Sequence, residues 1–223
     1  MPSHPGLGHR SRVTVRRHPE RGSHDQAIIH RILDEALFCH VGFAVGAQPF
    51  VIPTIHARSE DRLYVHGSTA SRMLRALGAR IPVCVTVTIL DGLVLARSVF
   101  NHSMNYRSVV VLGTAHPVED AEEKTVALRA IVEHVMPGRW AQARQPTAKE
   151  MKATSVLSLS LEEASAKIRV GAPKDDPEDL VLPVWAGEVP VRVQYLAPRP
   201  DPVLSPDIDL PANVARAGRG SSS

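Results

Sequence analysis

Two polar stretches hold the side chains best placed to do chemistry. The first, His66-Gly67-Ser68-Thr69-Ala70-Ser71-Arg72, reads as the end of a strand and the start of a helix. Helix starts carry unpaired backbone N–H groups and the positive end of the helix dipole, and Arg72 can add a charge-assisted contact. A phosphate-bearing ligand fits that junction, with an ordinary helix cap made by Ser68 or Thr69 as the alternative. The second stretch is Asn101, His102, Ser103, Asn105, Tyr106, Arg107 and Ser108, which runs into the apolar Val109–Leu112. It places many hydrogen-bond donors at the mouth of a sheet, where a rigid scaffold can aim them at a ligand.

Other chemistries lack their spacing. No Gly-x-x-x-x-Gly-Lys-Ser/Thr or Gly-x-Gly-x-x-Gly loop is present, and no Gly-x-Ser-x-Gly elbow. The chain has 11 histidines, yet none forms a His-x-His, His-Glu-x-x-His or Cys/His cluster, so no metal site is expected. Cys39 and His40 are neighbours in a strand and should point to opposite faces. Trp140 ends a helix and reads as packing. Trp185 sits in a loop-like segment where a flat ring could cover a ligand, and packing is the equal alternative.

The elements that must position these groups follow from hydrophobic periodicity. Ser23 and Gln26 read as a capping box opening a helix over 24–36, with Ile28, Ile29, Ile32, Leu33 and Leu37 at helical spacing. Strands are expected at Phe38–Val45, Phe50–Arg58, Arg62–His66, Val83–Leu90, Tyr106–Ala115, Thr154–Leu161 and Ala166–Val170. Asp91-Gly92 is a hairpin signal returning through Leu93–Ala96. Further helices are expected at Ala70–Leu77 and Glu119–Val135. Short strands joined by tight turns, with inserted helices, give an α+β, mainly β class built on an antiparallel barrel. The chain divides into a basic arm (1–22), a central domain (23–196) and a Pro/Ser-rich tail (197–223) read as disordered.

Composition sets outer limits. The 43% hydrophobic content supports one buried core in 223 residues. The arginines of the first two dozen residues lack interleaved aromatics and a recognition motif, so no nucleic-acid partner is expected. No apolar run is long enough to span a bilayer. Two distant cysteines and no leader pattern give a cytoplasmic expectation.

Phe50-Val51-Ile52-Pro53-Thr54, His66-Gly67-Ser68 with Ser71-Arg72, Met104–Gly113 and Pro183-Val184-Trp185-Ala186-Gly187 occur in this order. Together, over about residues 12–196, they resemble the pyridoxamine 5'-phosphate oxidase-like FMN-binding family, and within it the branch that includes nitroimidazole-resistance-type proteins. The resemblance implies a split β-barrel homodimer with FMN at the subunit interface. It puts the FMN phosphate near Ser68, Ser71 and Arg72, with His66 and Gly67 of the same junction also among the cofactor-binding residues. Pro53 and Thr54 would run past the ring and ribityl chain, Asn105, Tyr106, Arg107 and Ser108 would line the same cleft, and Trp185 would approach the ring. No Arg-x-His element follows Trp185, so the resemblance does not extend to pyridoxamine phosphate oxidation itself.

The function expected is that of an FMN-dependent oxidoreductase acting on a small molecule, with NADH or NADPH as the candidate reductant. Two alternatives stand beside it: a flavin- or haem-binding storage module without turnover, and a deazaflavin-dependent reductase on the same fold. No residue is assigned as acid or base; His56, His66 and His102 are the candidates.

Overall fold

The computed structural model describes residues 12–217. Arg10 and the rest of residues 1–11 of the basic arm, like residues 218–223 of the tail, lie outside the described residues.

A ten-stranded, wholly antiparallel sheet organises the molecule, with helices on both faces. Its strands are β1 (Gly22–Ser23), β2 (Phe38–Val45), β3 (Gln48–Ser59), β4 (Arg62–Ser68), β5 (Pro82–Leu95), β6 (Ser103–Thr114), β7 (His116–Pro117), β8 (Thr154–Ser160), β9 (Ala164–Arg169) and β10 (Gly187–Pro190). Their order is β1-β9-β6-β5-β2-β3-β4-β8-β7, and β10 adds to β5. β3 is long enough to serve two ladders: Gln48–Ile55 pairs with β2, and His56–Ser59 with β4. The sheet thus turns from one half into the other inside a single strand. The class is α+β with a mainly antiparallel sheet.

The inner face carries the main core. Cys39, Val41, Val85, Val87, Val109, Val111 and Ala166 alternate along the strands and are buried against α1 (Gln26–Glu35) and α2 (Arg72–Gly78). α1 contributes Ile29, Ile32 and Leu33, and α2 contributes Met73, Leu74 and Leu77. The cap of α1 is one step later than the Ser23 expectation. Asp25 accepts from the N–H groups of Ala27 (2.8 Å) and Ile28 (3.4 Å), because the Ser23 hydroxyl already accepts from the N–H of Asp25.

On the outer face, α3 (Ala121–Val135) covers only part of the sheet. Its Ala127 and Ile131 pack with Ala57, Tyr64 and Val156 in a second, smaller cluster. Two short helices, α4 (Arg139–Gln142) and α5 (Ala148–Ala153), lead back to β8. After β10 the chain runs exposed, through turns at Asp201–Leu204 and Ser205–Ile208, to α6 (Ala212–Ala217), so residues 212–217 of the expected tail are helical.

Asp91-Gly92 makes no hairpin. β5 runs through it as one strand with a register shift between Leu90 and Gly92, and neither residue takes the positive φ that a two-residue hairpin turn requires. The reason lies far away in sequence. β10 pairs along Gly92–Leu95, and a Cβ on Gly92 would come within 3.1 Å of the Val189 carbonyl oxygen. The glycine supplies close approach rather than a turn.

Candidate functional site on the outer sheet face

Residues directly opposite one another across an antiparallel ladder share a face. The registers therefore define the outer face strand by strand. Ile55 lies opposite Phe38, and Pro53 opposite His40. His40 lies opposite Thr86 on β5, which lies opposite Val110 on β6. Thr88 lies opposite Ser108, and Leu90 opposite Tyr106. On β4, His66 alternates with Val65, the partner of His56, and so falls on the same face as Ile55. α3 covers one end of this face; beyond it the sheet is open, with Phe38 55% and Val51 68% exposed.

The residues expected at the site therefore divide. Pro53, His66, Tyr106 and Ser108 come to the outer face. Thr54, Asn105 and Arg107 point to the inner one. The polar cluster is not a loop feeding a strand: β6 already begins at Ser103, and its period of two sends neighbours to opposite sides.

On the inner face these groups are committed to partners. Arg107 makes a fork to Asp91, with Nε to Oδ2 at 2.9 Å and Nη2 to Oδ1 at 2.7 Å, and a second fork to Glu35. Asp91 and Glu35 hold its pKa well above the ordinary arginine value. The bulge at Asp91 and the end of α1 are thereby tied to β6. Asn105 is buried; its oxygen accepts from Arg169, and its amide donates to Glu188 at 2.5 Å. Arg169, also buried, donates to the carbonyls of Gly171 and Ala172 at 3.0 and 3.3 Å.

The His66–Arg72 junction is mixed. Ser71 caps α2 by accepting from the N–H of Leu74 at 3.5 Å, and the Ser68 hydroxyl accepts from Ala70 at 3.2 Å. Gly67 is needed for packing, since a Cβ there would lie 3.1 Å from the Leu74 side chain. Arg72 is exposed, lies 5.3 Å from the centre of the Phe50 ring, and forms no ion pair among the described residues. Buried Nδ1 of His66 has no hydrogen-bond partner, and burial lowers the pKa of the ring. Its imidazole is therefore neutral near pH 7, with a ring nitrogen unused.

His56 has a structural task. Its Nε2 donates to the Leu33 carbonyl at 2.9 Å, and His134 Nε2 donates to the Ala36 carbonyl at 2.9 Å. The two rings, 5.0 Å apart, thus satisfy carbonyls at the end of α1. Burial pushes the His56 pKa down to about 4. His102 is exposed and donates from Nδ1 to the Ser98 carbonyl at 3.0 Å.

Trp185 is 66% exposed, and its indole occupies the space above Gly187: a Cβ there would lie 2.9 Å from the ring. Gly187 lies opposite Leu95 and shares the side of Val189, Leu93 and Met104, so the indole stands over the outer face. The residues that sequence reasoning missed are Phe38, His40, Ile55, Thr86 and Thr88. Their signal was the alternation of β2 and β5 itself, in which one side is apolar throughout and the other mixes hydroxyls, imidazole and exposed apolar groups.

A polar cleft of about 850 Å³ lies elsewhere, among Gln26, Asp61, Arg62, His116, Ser160 and Glu162, and none of the expected site residues lines it. Among the described residues no group of three or more His, Cys, Asp or Glu is arranged to hold a metal ion, and no helix is long and apolar enough to cross a membrane.

Residues 25–168 match the family model described as pyridoxamine 5'-phosphate oxidase, and the chain belongs to that family. Among solved structures, it is 44% identical to the flavocytochrome Anf3 from Azotobacter vinelandii, over 92% of this chain and 96% of that one, with a TM-score of 0.87. The FAD and haem binding protein from Mycobacterium smegmatis is 36% identical, over 89% and 97%, with a TM-score of 0.85. A candidate 5-nitroimidazole antibiotic resistance protein from Bacteroides thetaiotaomicron, at 24% identity over 66% and 86% with a TM-score of 0.54, shares the fold. No curated protein matches the chain.

Proposed function

We propose that this protein is a redox protein binding FAD and haem, with both cofactors on the open part of the outer face between two copies arranged as a split-barrel homodimer. The observation that carries the reading is His66. A neutral imidazole with an unused nitrogen is the form that ligates iron, and it stands where the cover of α3 ends and the open sheet begins. Two relatives above 30% identity support the cofactor pair, one being described as a flavocytochrome and the other as binding FAD and haem. They favour FAD over the FMN that the sequence suggested, and the haem-binding alternative over a flavin enzyme alone.

Bound together, the two cofactors would supply two-electron uptake from a nicotinamide and one-electron transfer. This chain's residues would bind and orient. Trp185 offers a flat face to a conjugated ring, whereas Arg72, over Phe50 at the start of α2 on the inner side, could meet only a phosphate that passes the sheet edge there. With burial lowering its pKa, the neutral ring of His66 keeps a lone pair for a metal, so it would serve as a ligand rather than as a cationic acid. NADH or NADPH remains the candidate reductant, and a small molecule the final acceptor.

Absorption spectra test this. The purified protein should show flavin bands and a haem Soret band, and the released flavin should run as FAD. His66→Ala should abolish the Soret band while leaving flavin stoichiometry within about 20% of the wild type. A Soret band unchanged in that variant removes His66 from the haem site, and FMN as the released flavin overturns the choice of FAD.

A further inference from the structure

The chain beyond β10 keeps a strand's pattern without a strand's partner. Val189, Val191, Val193 and Tyr195 alternate with Pro190, Arg192 and Gln194, yet pairing with β5 ends at Pro190. The segment is fixed at both ends. The N–H of Val191 donates to the Asp91 carbonyl at 2.9 Å. At the far end, Asn213 on α6 donates to the Pro137 carbonyl at 2.8 Å and accepts from Gln142 at 2.9 Å. Between these anchors Val193, Leu196 and Val203 are 80%, 75% and 90% exposed, and Ile208 and Leu210 are more than half exposed. Pro198 and Pro200 stiffen the first part of the span, and Pro202 and Pro206 sit in turns closed by the N–H of Leu204 to the Asp201 carbonyl at 2.9 Å and of Ile208 to the Ser205 carbonyl at 3.1 Å; prolines in both settings lower the entropy lost when the span docks.

We infer that residues 191–211 form an arm that lies across a second copy of this chain and closes the outer-face site from the partner's side. The inference rests on the two-copy site proposed above and names the element that makes it. Area argues for a second copy as the occupant. The exposed parts of the arm's apolar side chains, with Phe38, Val51, Ile55 and Leu90 of the open sheet, come to on the order of 800 Å² at about 120 Å² per fully exposed side chain. A stable dimer needs about 800 Å² from each partner. The two surfaces are also of different shape, a ridge and a flat sheet. A two-fold axis would therefore bury both twice, each arm on the other's sheet.

The combined substitution Val193→Asp, Leu196→Asp and Val203→Asp tests this. It leaves the anchors at Val191 and Asn213 in place and alters side chains that touch little of their own chain. Sedimentation of the cofactor-loaded protein over a concentration series should show the dimer dissociation constant raised at least a hundredfold. Trypsin cleavage after Arg192 of the wild type should slow as protein concentration rises, which tests the arm without any variant. A wild type that is dimeric, with a triple variant equally so, overturns the arm while leaving the two-copy site standing. Concentration-independent cleavage also overturns the arm. A wild type that binds FAD and haem as a monomer overturns the second copy altogether, with the cofactor assignment intact.

Discussion

The two faces of the sheet are built from the same strands and treat their polar groups in opposite ways. On the inner face most such groups are tied to partners: Arg107 with Asp91 and Glu35, Asn105 with Arg169 and Glu188, and His56 through Nε2 with a helix carbonyl, although its Nδ1 has none. On the outer face, beyond α3, an imidazole nitrogen stands idle and large apolar side chains face outward. Buried polar groups are costly unless paired, so the paired set reads as structure and the unpaired set as a place for something else. One four-residue stretch, Asn105 to Ser108, sends Asn105 and Arg107 to the inner face and Tyr106 and Ser108 to the outer one, where the Ser108 hydroxyl donates to the Lys167 carbonyl at 3.3 Å. Chain adjacency is therefore no guide to shared function here.

The largest effect should come from breaking the buried network around Asn105. Arg169→Ala strips Asn105 and two backbone carbonyls of their donor, and should cost roughly 3–5 kcal/mol. At about 2–4 °C per kcal/mol for a chain of this length, the melting temperature should fall by on the order of 10 °C. A fall under about 2 °C with cofactor lost would place this network in the site.

Acid should act through His56. Its folded pKa of about 4 lies below the ordinary histidine value, so between the two the unfolded chain binds the extra proton. Stability from this group is complete above about pH 6.5 and is lost as pH falls toward 4, by at most ~3 kcal/mol. Denaturant melts from pH 7 to 4 should show the loss for the wild type and a shallower one for His56→Asn. Equal slopes would put the acid sensitivity elsewhere.

Neighbouring residues on β6 give the finest comparison. Arg107→Ala should lower stability by about 1–3 kcal/mol and leave flavin stoichiometry unchanged. Ser108→Ala should leave stability within about 0.5 kcal/mol and weaken flavin binding a fewfold, since a single neutral hydrogen bond is worth about 1 kcal/mol. Titration and thermal melts of both variants decide the matter; matching behaviour in the two would erase the distinction between faces.

Much of this was legible in the sequence where the physics is local. The isoleucine spacing of α1 and the valine alternation of β5 and β6 declared themselves, because each reports which side meets the core. The failures share a cause: a distant partner decided the outcome. Asp91-Gly92 suits a hairpin or a bulge equally, and β10, about a hundred residues later, selects the bulge by lying against Gly92. Polarity put the start of β6 at Tyr106, whereas pairing with β5 extends order back to Ser103. His66 stood out by its neighbours, but its idle nitrogen depends on what β8 and the helices fail to offer it. Trp185 looked like loop because prolines surround it, and only Gly187 reveals that its ring has a fixed seat.

That seat has an optical consequence. The chain has two tryptophans, and Trp140 lies away from the outer face, beside Glu133 at the end of α3. Trp185 is thus a native emitter stationed where conjugated rings are proposed to sit, and flavin and haem both absorb at tryptophan's emission wavelengths. With Trp140 replaced by Phe, the glow of a single indole would report, without any label, when each cofactor arrives and in which order.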